Sequence, residues 1–232
     1  MLSLITGVGS KGQVGEAVAT SLARRGDTVL LVTRRADEAR ERATELASAG
    51  LRAHGYGCDL SVGNDVTALA SRISHEHGAS LDALVNLAGG FASSGAIGDS
   101  DPAIFDHQLR INLQTAYLAT RAFLPMVRRA RGSIVFFASE AALEGARTRG
   151  LAAYAAAKAA VVALMRSVAD ESRDHGVRAN ALAPAAIRTA TNEAAMGADS
   201  SYVEREDVAA VVSFLCSPSA AAITGQVIRL RK

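Results

Sequence analysis

Short apolar runs alternate along this chain with longer stretches that are apolar on one face only, and that alternation restricts the fold more than any other feature. The runs read as strands at Leu2–Thr6, Thr28–Thr33, Arg52–Cys58, Ala83–Leu87, Ser133–Ala138, Arg178–Ala183 and Gln226–Leu230. The stretches between them read as helices at Gln13–Arg25, Ala36–Ala49, Val62–His77, Pro102–Arg129, Ala152–His175 and Arg205–Ser217. Gly26, Gly50, Gly78, Gly132 and Gly176 stand where C-terminal caps belong. Repeated strand–helix–strand units require parallel strands with right-handed crossovers, so helices must cover both faces of one open α/β sheet of about seven strands. No repeat or linker interrupts the pattern, and 232 residues suit a single domain over 1–232.

In such a sheet ligands bind beyond the C-terminal strand ends. The first strand runs into Thr6-Gly-Val-Gly-Ser-Lys-Gly-Gln-Val-Gly15. Gly7 and Gly9 let the backbone approach a pyrophosphate, and Ser10, Lys11, Gln13 and Val14 lead to a helix N-terminus that favours an anion. A plain tight turn is the bland alternative, weakened by the position between first strand and first helix. The second strand ends in Thr33, Arg34 and Arg35 where an NAD site carries an acid. A guanidinium grips a 2′-phosphate with charge-assisted bonds, so NADP(H) is expected in preference to NAD(H); solvated surface arginines are the alternative. Asp59 and Leu60 follow the third strand, and Asp59 reads either as a partner for an adenine edge or as an N-cap. Asn86, Ala88 and Gly89 follow the fourth, small enough for a ribose to lie close.

The other half of the strand ends carries reactive groups. Tyr154 and Lys158 are four apart and share one helix face, in a chain with three Lys against 22 Arg. An ammonium near a phenol lowers the phenol's pKa and makes it a usable acid/base. Ser139 follows the fifth strand, placed to hydrogen-bond a carbonyl oxygen, and Asn112 is a candidate to hold a relay water. Each has an ordinary structural reading, but all four falling together at expected strand ends is the less economical explanation.

Composition excludes other classes. A net charge of +2 drawn from interspersed charges gives no nucleic-acid stripe. Cys58 and Cys216 form no CxxC or disulfide framework, and the histidines lack zinc spacing, so no metal is expected. The N-terminus lacks signal-peptide character and no 18-residue apolar run is free of charge; a cytoplasmic setting with no membrane partner is the expectation.

Taken in order, these segments resemble the short-chain dehydrogenases/reductases. The resemblance rests on Thr6-Gly7 with its glycine loop, Asp59, Asn86-Leu-Ala-Gly89, Asn112, Ser139, Tyr154-x-x-x-Lys158, Pro184-Ala-Ala-Ile-Arg-Thr189 and Ile223-Thr-Gly-Gln226. It implies a single Rossmann-type doubly wound domain that interconverts a ketone and a secondary alcohol, a 3-oxoacyl thioester being one candidate. In that reading Tyr154 donates the proton and Ser139 orients the carbonyl. Lys158 binds the nicotinamide ribose, Asn112 holds the water, and Pro184, Ile187 and Thr189 border the nicotinamide. The family also implies a homodimer or homotetramer through the helices at 102–129 and 152–175.

Four features depart from the pattern. The glycine loop is one residue longer than usual, as in the enoyl-reductase branch, which makes enoyl-thioester reduction the second reading. Leu87 replaces an amide and Ala185 a glycine, and the stretch from Thr189 to Glu206 leaves little room for a substrate lid. The chain also ends at Arg231-Lys232 without the customary Asp-Gly-Gly. The Leu87 change and the short lid motivate a third reading, a non-catalytic cofactor-binding regulator. Glu140, Glu144, Arg147 and Arg149 lie in a slightly long loop read as solvated.

Overall fold

The computed structural model describes residues Met1–Lys232. Seven parallel strands form one sheet: β1 (Leu2–Thr6), β2 (Thr28–Thr33), β3 (Ala53–Gly57), β4 (Ala83–Asn86), β5 (Ser133–Phe137), β6 (Arg178–Pro184) and β7 (Val227–Leu230). Their spatial order is β3-β2-β1-β4-β5-β6-β7, so the direction of winding reverses between β1 and β4. Thr6 pairs with Val32 on one side and Asn86 on the other, which levels the strand ends at that point.

Alternation along each strand divides the core between the two faces. Leu4, Leu30, Leu84 and Ile134 join one cluster; Ile5, Leu31, Val85 and Val135 join the other. The first is covered by α3 (Gly63–His77), α5 (Thr115–Ala130) and α6 (Ala152–Glu171). The second is covered by α1 (Val14–Arg24), α2 (Ala36–Ser48) and α8 (Arg205–Leu215). Two shorter helices, α4 (Pro102–Gln108) and α7 (Ala190–Met196), lie in the segments after β4 and β6. By length and an 18-residue mean hydropathy of 1.3, α6 is apolar enough to cross a membrane. Here Val161, Met165 and Val168 spend that apolar face on the sheet.

Three expected boundaries shift. The helix expected over Pro102–Arg129 is α4, then a π-helical segment at Leu109–Gln114, then α5. The widened turn surrounds Asn112, whose buried amide draws the backbone out of α geometry. The helix expected to run to His175 stops at Glu171 and is followed by a 3₁₀ turn over Arg173–His175. At the end of α5 it is Arg131 (φ 51°) that takes the left-handed position expected of Gly132. Gly132 is needed for another reason: a Cβ there would stand 2.5 Å from the Asp82 carbonyl oxygen.

Candidate active site

The glycine loop closes against the segment after β4. The Thr6 hydroxyl accepts from Leu87 N–H and Ala88 N–H, each at 3.1 Å, and donates to the Val85 carbonyl at 3.2 Å. Gly7 (φ 68°) packs so tightly there that a Cβ would fall 2.4 Å from Ala88 Cα. Leu87 itself packs into the apolar cluster beside β1, and Asn86 donates to Thr120 Oγ1 at 2.8 Å. The amide missing at position 87 is thus bypassed through Thr6, while Asn86 Oδ1 stays buried without a partner.

Helix α1 begins at Val14, with Gln13 as an extended N-cap that makes no side-chain cap, so its first N–H groups face the loop uncapped. A Cβ at Gly9 (φ 69°) would meet Gln13 and the Gly7 carbonyl only at ordinary van der Waals distance, 3.8 Å, and Ser10 and Lys11 are exposed. The extra loop residue is anchored: Gly12 N–H donates to Glu16 Oε2 at 2.6 Å, and Arg205 Nη1 lies 3.8 Å from the same oxygen. Gln13 Nε2 reaches Thr191 Oγ1 of α7 at 3.4 Å. A side-chain-free cradle beside an uncapped helix N-terminus fits the pyrophosphate of a dinucleotide.

The two arginines after β2 separate in role. Arg35 is held by Asp37 at 3.0 Å and Glu38 at 3.2 Å. Arg34 is exposed and makes no ion pair. Thr33 is buried and donates to the Arg35 carbonyl at 2.6 Å, so it shapes the turn. Asp59 accepts from Ser61 N–H at 2.9 Å and Ser61 Oγ at 2.7 Å, a local turn that holds its carboxyl below the usual range. Val62, not Asp59, is the N-cap of α3, because Leu60 and Ser61 intervene as a turn. Leu60 is buried.

At the reacting end, Ser139 stands directly beyond β5 and begins a 3₁₀ turn, its Oγ accepting from Ala141 N–H at 3.3 Å. Lys158 is only 6% exposed; its Nζ donates to the Phe137 carbonyl at 2.8 Å and lies 5.9 Å from the centre of the Tyr154 ring. Burial lowers the Lys158 ammonium to about 8. Tyr154 corrects the expectation drawn from its lysine neighbour. Burial raises its phenol above the ordinary value, with only a hydrogen bond from Ser139 opposing. The ammonium is turned to β5 rather than to the phenol oxygen, so desolvation prevails.

Asn112 corrects a second expectation. It is 1% exposed, and its amide is occupied: Oδ1 accepts from Gly90 N–H at 3.2 Å, and Nδ2 donates to Gly90 O at 3.0 Å and to Gln108 O and Oε1 at 3.1 Å. The side chain is a clamp on the glycines after β4 rather than a free ligand for water. Gly89 is part of that fit, since a Cβ would fall 2.5 Å from Asn112 Oδ1 and 3.4 Å from Lys158 Nζ.

Pro184, the last residue of β6, is buried, and Ala185 has no positive φ, so alanine in place of glycine carries no backbone strain. Ile187 bridges to Val203, and its carbonyl accepts from Asn192 Nδ2 at 2.8 Å. Thr189 caps α7 by accepting from Asn192 N–H at 3.2 Å. The expected short lid is therefore a seven-residue helix. Sequence reasoning passed over Gln108, Glu16 and Phe91. Phe91 meets Tyr154 edge-on, ring centres 5.1 Å apart at 79°. The signal for it was an aromatic residue directly after Gly89-Gly90, in a chain with 4% aromatics.

A doubly wound sheet with its glycine loop at the winding reversal and its reactive groups beyond the next strand, β5, is the frame of an oxidoreductase that works with a nicotinamide cofactor. A family model described as Enoyl-(Acyl carrier protein) reductase matches residues 7–230. The chain is 35% identical to 2-(S)-hydroxypropyl-CoM dehydrogenase 3 of Xanthobacter autotrophicus, over 95% of this chain and 91% of the relative. It is 31% identical to human dehydrogenase/reductase SDR family member 4, over 93% and 81%. A short-chain type dehydrogenase/reductase from Mycobacterium ulcerans superposes with a TM-score of 0.89 at 28% identity, covering 99% of this chain and 87% of that one. A Beutenbergia cavernae protein, provisionally assigned as an NAD(P) dependent gluconate 5-dehydrogenase and solved with NADP at low occupancy, superposes with a TM-score of 0.88 at 32% identity, covering 98% and 94%. The chain belongs to the short-chain dehydrogenase/reductase family and is an oxidoreductase acting on alcohols and ketones.

Proposed function

We propose that this chain is an NADP(H)-dependent ketone reductase in which Tyr154 exchanges the hydroxyl proton. The observation that carries the reading is the joint placement of Ser139, Tyr154 and Lys158 at the C-terminal end of β5, with Lys158 buried and donating to the Phe137 carbonyl. When bound, a nicotinamide supplies or accepts the hydride. The chain's own residues do the rest. Ser139 and the Tyr154 hydroxyl donate to the carbonyl oxygen, and Tyr154 passes its proton there as the oxygen gains charge. Lys158, buried and cationic below about pH 8, would hold the nicotinamide ribose. The pyrophosphate would rest on those amides between Gly9 and Gly15 that the loop leaves free, and the nicotinamide against Pro184, Ile187 and Thr189.

Preference for the 2′-phosphate rests on Arg34, exposed and unpaired, on Lys11, and on the missing acid after β2. A 3-oxoacyl thioester remains one candidate substrate. The description of the matching family model and the lengthened glycine loop favour enoyl-thioester reduction as a second reading. The Tyr154–Lys158 spacing of four, with Ser139 at the end of β5, favours carbonyl chemistry over it. The proposal includes a cytoplasmic homodimer or homotetramer with neither nucleic acid nor membrane as partner.

The test is a fluorescence titration with NADPH and NADH, followed by a panel of carbonyl and enoyl substrates. NADPH binding more than tenfold tighter than NADH, with that margin lost in Arg34→Ala, supports the cofactor assignment. Equal binding refutes it and leaves the reductase reading intact. Failure to bind either cofactor brings the regulator reading forward.

A further inference from the structure

The loop after β4 carries a large apolar side chain that the fold does not bury. Phe91 is 64% exposed, yet its ring is not free: it stands edge-on to the ring of Tyr154. Its loop is also fixed. Ser94 N–H at 2.9 Å, Ser93 Oγ at 3.0 Å and Ser94 Oγ at 3.3 Å all donate to one acceptor, the Gly150 carbonyl. Gly150 lies two residues before α6, the helix that carries Tyr154. On its other side the loop is gripped by Asn112 through both N–H and C=O of Gly90. The ring is thus held between two anchors, each tied to an element of the reacting end.

An exposed phenyl group in water is unfavourable, and holding a loop at both ends costs conformational entropy. The edge-on contact with Tyr154 covers only part of the ring, which stays 64% exposed. Two other exposed apolar side chains, Ile97 and Met196, sit on the segments after β4 and β6 that frame the same end of the sheet. We infer that Phe91 is the apolar wall of the substrate pocket, selecting carbonyl compounds that carry an aromatic or comparably bulky apolar group beside the reacting carbon. This rests on the reductase reading above. An aryl substituent packs on the free face of Phe91 by offset or edge-on stacking. A small alkyl group leaves that face wet and gains nothing from it.

The experiment compares propiophenone with 2-butanone, which share an ethyl ketone and differ in the second substituent. It uses NADPH as reductant and the variants Phe91→Ala and Phe91→Trp. Wild type is expected to favour propiophenone in kcat/KM. Phe91→Ala is expected to lower the propiophenone-to-butanone ratio at least tenfold, mainly through the aryl ketone's KM, and Phe91→Trp to preserve it. NADPH affinity and the circular dichroism spectrum should match wild type. A ratio unchanged in Phe91→Ala, or a wild type that prefers 2-butanone, overturns the inference while the reductase reading stands. Equal loss for both ketones overturns it too, because Phe91 would then only position Tyr154. A wild type that binds NADPH and reduces no ketone in a wider carbonyl panel refutes the reductase reading, and the inference goes with it.

Discussion

Lys158 is expected to weaken the cofactor-free fold that holds it, and Lys158→Met measures by how much. The ammonium is buried with one hydrogen-bond partner, the Phe137 carbonyl, and its pKa falls from 10.5 to about 8. A base whose folded pKa is depressed binds fewer protons folded than unfolded between those two values, so stability rises with pH across that window. Below about pH 8 the full penalty applies, and the shift converts to about 3 kcal/mol at pH 7. It shrinks to about 1 kcal/mol at pH 9.5 and vanishes above 10.5. Methionine keeps the apolar stem and drops the charge, at the cost of the bond to Phe137, about 1–3 kcal/mol at any pH. The variant should therefore equal or exceed wild type in stability at pH 7. Its advantage should fall by about 2 kcal/mol by pH 9.5. For a chain of this length that is a change of about 4–8 °C in the difference between the two melting temperatures. The assay is paired thermal unfolding without cofactor at both pH values, with turnover measured alongside. A difference that stays flat across the window would falsify the argument, since every other titrating group cancels between the two proteins.

Tyr154→Phe should lower kcat by about 10²–10⁴ while NADPH affinity stays within about twofold, as stopped-flow turnover and cofactor titration would read; retention of more than a tenth of the activity would remove Tyr154 from the proton-transfer role. Glu16→Gln, which weakens the charge-assisted bond to Gly12 N–H, should loosen the loop bearing Lys11 and weaken NADPH severalfold more than NADH. An equal effect on both cofactors would mean that Glu16 supports only the pyrophosphate turn. Arg131→Gly relieves a left-handed backbone at φ 51° and should stabilise by about 1 kcal/mol, read as a rise in melting temperature; a fall would mean that the contact of the Arg131 stem with Gly176 outweighs the strain.

The fold was legible because its periods are local. Leu4 and Ile5, or Leu30 and Leu31, go to opposite faces by the geometry of a strand, and a helix between parallel strands has few places to lie. The boundaries that moved are those set by tertiary contacts. Nothing in the periodicity of 102–129 marks a π turn; it arises because the Asn112 amide engages Gly90, 22 residues away. Likewise Arg131 takes the left-handed position because Gly132 is pressed against Asp82 from β4's approach.

The site was legible in its types of residue and less so in what holds them. Spacing placed Tyr154 and Lys158 on one face, but spacing carries no information on which acceptor an ammonium will choose. The acceptor is the last carbonyl of β5, and that choice leaves desolvation in charge of the phenol's pKa. The Leu87 departure shows the converse. Losing an amide beside Asn86 looked like damage to the site, yet Thr6 receives both N–H groups and Leu87 fills an apolar gap. Asn86 Oδ1 is buried and takes no hydrogen bond from the chain, while its Nδ2 donates to Thr120. Asn86 lies beside the clamp on Gly90, whose loop sets Phe91 edge-on to Tyr154, so the rerouted amide, the clamp and the aromatic ring lie along one continuous stretch from Asn86 to Phe91.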